Sequence, residues 1–336
     1  MSSERIQSSD GDSDVEMPLL KRRRTSMNDD TSKPPLAAAC HGASEVDASC
    51  QRSIEYWFPD GDIVFKVEQH CFRIHRQKLQ CSLIFSGMFE LPQPDRVESM
   101  DGCPLVVLFG DMATDWKVVL HWVYDSQGFV KRAETFDALS GALRISTKYE
   151  IPELRTWAVR GMHRRWPRLG SLHSMTYAAF ANTAEAIMLA RECDVPEILP
   201  SAFYALSFQR WSCNSEGGRS HLVLPPPDLR RLLEGRELIQ DMITQYILEP
   251  LRDPEFDYYP CHGCAQPLLD IWRGRLAPPP GTSPWGCWLS KELATMRDHV
   301  DSISFQVCQS CVSHHVALAS YRLRRLVAMI PRVFRL

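Results

Sequence analysis

The chain has 336 residues, with 38 Lys and Arg against 41 Asp and Glu and a formal net charge of −3. That balance supplies no overall pull toward nucleic acid or an anionic membrane surface, and no apolar run reaches the roughly 18 residues of a spanning helix. With 44% hydrophobic and 24% charged residues, the composition is that of a globular protein, and the length suits about two domains of about 150 residues.

Residues 1–52 are rich in Ser, Asp and Ala and poor in aromatics, the composition of a disordered N-terminal tail. Within them Lys21, Arg22, Arg23 and Arg24 form a basic run beside Thr25 and Ser26. It reads as a nuclear import signal or as a solubilising charge run. The N-terminus lacks the apolar segment of a secretion signal. Twelve cysteines in such a chain point to reduced thiols or metal ligands rather than to a disulfide framework. The expected compartment is cytoplasm and/or nucleus.

Ile63, Phe65 and Val67 alternate with Val64 and Lys66, and Cys71, Phe72 and Ile74 carry the chain back after a polar break at residues 68–70. The pair predicts a β-hairpin. From Arg76 the period lengthens to the helical one. Leu79, Leu83, Ile84, Met88 and Phe89 predict two short helices, the second capped by Ser82. The apolar run 104–109 predicts a third strand. Thr114 is placed to cap a helix carrying Trp116, Val119, Leu120 and Val123, and further helices follow around Phe136, Leu139, Leu143 and Ile145 and around Leu154, Trp157, Ala158 and Met162, with Pro152 in the first turn of the latter. Beyond Gly170 the reading is helical in short pieces, from Thr183, over residues 198–208, from Asp228 as a cap, and over residues 289–303.

The stretch from Asp62-Ile63-Val64 through Phe72-Arg73-Ile74-His75-Arg76 to Ser82, Phe85, Met88 and Phe89 resembles the start of a BTB/POZ domain, of the divergent type numerous in mushroom-forming fungi. The order of the later segments, LPQPD, CPLVVLF and ALRISTKYEIPELRTWAVRGM, is similar to the same family. Residues 186–199 are similar to the opening of the BACK extension, and the ending Ile330-Pro331…Phe334-Arg335-Leu336 looks like that of the fungal group. The resemblance implies an α+β chain: a BTB/POZ fold of a small mixed sheet flanked by helices over 53–170, a helical BACK-like region over 171–250, and a Cys-containing helical region over 251–336. It also implies that Asp62 and Arg76, with His75 between strand and helix, lie near a dimer interface. The two charges read either as a partly buried pair or as an exposed one worth little.

The sharpest local pattern is Cys261-His262-Gly263-Cys264 with Cys308-Gln309-Ser310-Cys311. A two-residue gap lets both thiolates of one tight turn reach a single ion, and two such pairs make a closed structural zinc site. Forty-three residues separate the pairs, more than in compact ribbons, and His314, His315 and Cys287 are alternative ligands. The competing reading is four small buried cysteines. A redox CxxC would need a βαβ setting and a helix N-terminus, and neither is evident. Residues 321–336 carry Arg322, Arg324, Arg325, Arg332 and Arg335. They read as a membrane or phosphate contact or as a last helix docked on the domain.

No P-loop, dinucleotide fingerprint, nucleophile elbow or zinc-protease motif occurs, and strand alternation separates Cys71 from His70. The expected function is therefore non-enzymatic. The BTB/POZ resemblance implies a protein-interaction module that homodimerises and serves as a substrate adaptor for a cullin-based ubiquitin ligase, with no membrane partner and no direct nucleic-acid contact. The alternative is a nuclear transcription or chromatin regulator that uses the BTB domain to oligomerise.

Overall fold

The structure, a computed structural model, describes residues 50–92, 97–132, 135–209, 223–277, 288–301 and 303–336. The basic run at 21–24, the tail up to residue 49, Cys287, the Pro-rich loop 278–284 and the polar loop 212–220 lie outside them.

Five strands form a mixed sheet in the order β1-β3-β2-β5-β4. The expected hairpin is β2 (Ile63–Val67) and β3 (His70–Ile74), antiparallel with Phe65 opposite Phe72. Glu68 takes a positive φ of 52° in its turn. β5 (Cys103–Leu108) pairs parallel to β2, and the two-residue β4 (Ser99–Met100) closes that edge. The other edge, β1 (Gln51–Trp57), pairs parallel to β3. It takes in Gln51 and Arg52, which the composition had placed in the tail. β1 alternates poorly, with Ile54 fully exposed beside Glu55, so no strand signal stands out. Cys50 and Cys71 are joined by a disulfide with Cα atoms 6.0 Å apart. For this pair the expectation of reduced thiols is corrected: the β1–β3 pairing sets Arg52 opposite Cys71, which carries Cys50 alongside.

A 3-10 turn over Arg76–Leu79 and α1 (Leu83–Glu90) follow the hairpin. Ser82 caps α1, its hydroxyl accepting from the Phe85 amide at 3.1 Å. α2 (Ala113–Tyr124) starts a residue before Thr114. Its cap comes from across the sheet, where the Glu68 carboxylate accepts from the Ala113 amide at 3.0 Å. α3 (Ser126–Arg132) is short; α4 (Phe136–Lys148), capped by Thr135, packs on α2, and α5 (Pro152–Arg165) packs on α4. Phe65, Phe85, Trp116 and Tyr149 cluster at centroid distances of 4.8–5.9 Å between sheet and helices, Phe85 stacked on Tyr149 and the other pairs tilted or edge-on, each ring adding to the area it buries.

The second half holds α6 (Thr183–Glu192), α7 (Leu199–Ser207), α8 (Pro226–Leu248), α9 (His262–Leu276), α10 (Leu289–Asp298) and α11 (Gln309–Val333). Asp228 lies inside α8 instead of capping it. Its buried carboxylate holds Arg191 and Arg231, both at 2.9 Å. One hydrophobic cluster runs from Tyr56 to Phe334 through both halves. The α+β class expected from the sequence is what the chain adopts. Among the described residues no helix is long and apolar enough to cross a membrane.

Candidate metal centre

Cys261, Cys264, Cys308 and Cys311 come together with their sulfurs all within 4.8 Å of one another. Each CxxC straddles a helix start, not a tight turn. Cys261 is the N-cap of α9 and Cys308 of α11, with φ/ψ of −62°/155° and −66°/153°. The third helical residue in each is the inner cysteine, Cys264 or Cys311. Gly263 is thus simply the second residue of a helix. The two starts face each other and exchange hydrogen bonds. The Cys308 amide donates to Cys264 Sγ at 3.2 Å, and the Cys261 amide to Cys311 Sγ at 3.5 Å. Cys261 Sγ lies 3.9 Å from Cys308 Sγ and 3.8 Å from Cys311 Sγ.

Two helix N-termini directed at four sulfurs favour thiolates over thiols, yet four negative charges at this spacing repel. The two inner thiols embody the conflict. Burial pushes the Cys311 thiol up, but hydrogen bonds from Tyr258, the Cys261 amide and the neighbouring cysteines outweigh it and bring it down to about 7. The Cys308 amide pulls Cys264 down, while bonding to the other thiols and burial outweigh that and push it up to about 12. One thiol ionises at the expense of another, and a dication would relieve the competition. A tetrahedral ion with metal–sulfur bonds of about 2.3 Å holds its sulfurs about 3.8 Å apart, which matches the two short separations here.

The packing behind the cysteines orients both helices. Buried His315 uses both ring nitrogens, accepting from Trp272 Nε1 at 3.1 Å and donating to the Met296 carbonyl at 3.1 Å. It is therefore not a ligand. His314 stacks on Tyr258 at 4.6 Å, and its Nδ1 bonds the Ser310 carbonyl. Two turns further along α11, Arg322 is fully buried. It donates to the carbonyls of Pro250 (2.7 Å), Arg252 (2.7 Å) and Glu249 (3.3 Å), approaches Asp253 at 3.6 Å, and lies under the rings of Tyr246 (4.1 Å) and Trp272 (4.7 Å). It pins the loop that leads into Cys261. The sequence reading missed Arg322 as a structural centre. The signal was its place on the apolar stripe Leu318, Ala319, Arg322, Leu326 and Ile330, the face that α11 buries.

The arginine-rich end is thereby only partly a cationic surface, with Arg324, Arg332 and Arg335 exposed. Arg322 is internal, Arg325 bonds Asp253 at 3.3 Å, and Arg335 bonds Glu234 at 3.1 Å. In the N-terminal half, Asp62 and Arg76 do meet, but not through a buried charge pair. The exposed Asp62 carboxylate accepts from the Arg76 backbone amide at 2.7 Å, while the guanidinium lies 5.6 Å from the Phe89 ring. His75 bonds the Tyr124 hydroxyl at 2.8 Å and Asp60 at 3.3 Å. Cys71, bonded to Cys50 and buried, is not a nucleophile. No protein-family model matches the chain, and no curated protein matches it.

Proposed function

We propose that the chain is a non-catalytic protein-interaction module. Its BTB/POZ-like first half pairs with a second copy through α1, and its second half is clipped by a structural zinc ion held by Cys261, Cys264, Cys308 and Cys311. Four protein thiolates close a zinc shell and leave no position for a reacting water, so the ion serves stability, not chemistry. The observation that carries the interaction reading is the apolar surface of α1 and its end: Leu83, Ile84 and Leu91 are 60%, 44% and 63% exposed. Three large apolar side chains on so short an element mark a surface that gains by being covered, and one patch repeated on two copies is self-complementary about a two-fold axis. The order of hairpin, short helix, parallel strand and helical layer is in keeping with the BTB/POZ resemblance. On that resemblance the dimer is a substrate adaptor for a cullin-based ubiquitin ligase. With Arg322 buried and Arg325 and Arg335 paired with acids, direct nucleic-acid binding is not part of the proposal.

Sedimentation of the full chain tests this. The wild type should run as a dimer and Leu83→Glu/Ile84→Glu as a monomer with unchanged circular dichroism. A wild type that stays monomeric at tens of micromolar would remove the dimer reading. Capture of a cullin by the wild type and not by the variant would support the adaptor role; capture of chromatin proteins in its place would favour the nuclear one.

A further inference from the structure

The four thiols of the proposed zinc site are of two kinds. Cys264 and Cys311 are 5% and 4% exposed, whereas Cys261 and Cys308 are open to solvent. A cleft of about 380 Å³, lined by Asp257, Tyr258, Tyr259, Ser310 and His314, reaches Cys261 and Cys308 and touches the buried Cys311, but not Cys264. The inner sulfurs each accept an amide from the opposite helix start. The outer sulfurs lie 3.9 Å apart, close enough for side-chain rotation to bring them toward the disulfide length of about 2.05 Å.

We propose that Cys261 and Cys308 form an oxidation site for small hydroperoxides, at which disulfide formation expels the metal. The proposal rests on the zinc reading. One outer thiolate attacks the peroxide, breaking its O–O bond, and becomes a sulfenic acid while hydroxide or alkoxide leaves. The second outer thiolate then attacks the sulfenic sulfur, the S–S bond forms, and hydroxide departs to be protonated by solvent. Two thiolates lose two electrons and the peroxide gains them. Only Cys264 and Cys311 then remain as ligands, half of the closed shell, and zinc is released. Cys103 and Cys193 are buried and Cys81 is half-buried, so the outer pair is the most accessible of the free cysteines described.

The test uses the full chain loaded with zinc and freed of excess metal. Zinc content is measured first, hydrogen peroxide is added, release is followed with a chromogenic chelator, and cross-linked peptides are mapped without reduction. The expected result is loss of all bound zinc together with a Cys261–Cys308 bridge, both reversed by a thiol reductant and fresh zinc. Protein that carries no zinc before peroxide overturns the zinc reading and this inference with it. Zinc that is present but survives excess peroxide overturns this inference alone, as does release with no bridge or with a bridge joining other cysteines. Cys81→Ser should release zinc as the wild type does; abolished release would place the reactive thiol at Cys81 and overturn the assignment.

Discussion

Arg322→Met removes the buried cation while keeping most of the side chain's volume between Tyr246 and Trp272. The Arg322 and Asp253 side chains are 0% and 2% exposed, so the change leaves a carboxylate in the interior with Arg325, 32% exposed, as its remaining cation and the Glu255 amide as a donor at 3.2 Å. The carbonyls of Glu249, Pro250 and Arg252 lose their donors; those of the two exposed residues are within reach of water, whereas Pro250 is buried. Breaking a buried pair from one side costs about 3–5 kcal/mol. In a fold of this size that lowers the melting temperature by on the order of 10 °C. Urea unfolding followed by tryptophan fluorescence, with free zinc held constant, reads the loss. Arg324→Met, at an exposed position of the same helix, should stay within about 0.5 kcal/mol of wild type. Arg322→Lys should recover only part of the loss, since an ammonium cannot reproduce the planar fork. If Arg322→Met costs under about 1 kcal/mol, or no more than Arg324→Met, the loop before Cys261 does not depend on this cation and the argument fails.

Removal of zinc by a chelator should lower the unfolding midpoint reversibly. With free zinc a hundredfold above its dissociation constant the ion contributes about 2.7 kcal/mol, and Cys311→Ser should abolish the zinc-dependent increment in a thermal-shift series. Gly235→Ala should destabilise by about 1–3 kcal/mol in urea although alanine is the better helix former. A Cβ there would stand 2.3 Å from two carbons of the Phe334 ring. His315 has its pKa lowered, first by burial, so the folded state holds it neutral. Its contribution is complete above the unfolded value near 6.5 and is lost as pH falls through that value toward the folded one. Between pH 7.5 and 5.5 the wild type should therefore lose more stability than His315→Gln, by up to about 1.4 kcal/mol per pH unit; parallel pH profiles would show that His315 does not titrate on unfolding.

Local pattern alone located most of the elements. Alternation at Ile63–Val67 and His70–Ile74 marked the hairpin, Ser82 and Pro152 marked helix starts, and the two CxxC pairs named all four sulfurs now found together. These signals are legible because they are written within a few residues: a strand face repeats every second position, and a cap acts on an amide three residues on. The structure decided what depends on residues distant in the chain. The cap of α2 comes from Glu68, 45 residues away, so a search near Thr114 could not find it. β1 exists because β3 offers it an edge, and the same pairing closes the Cys50–Cys71 bridge. The C-terminal arginines looked like a cationic stripe because sequence displays charge without showing what it faces. Folding turned Arg322 inward onto three carbonyls and Asp253 and tied Arg325 and Arg335 to acids 72 and 101 residues upstream. The sequence by itself determined which thiols would gather; the opposed starts of α9 and α11 decided which two would stay buried and which two would meet solvent.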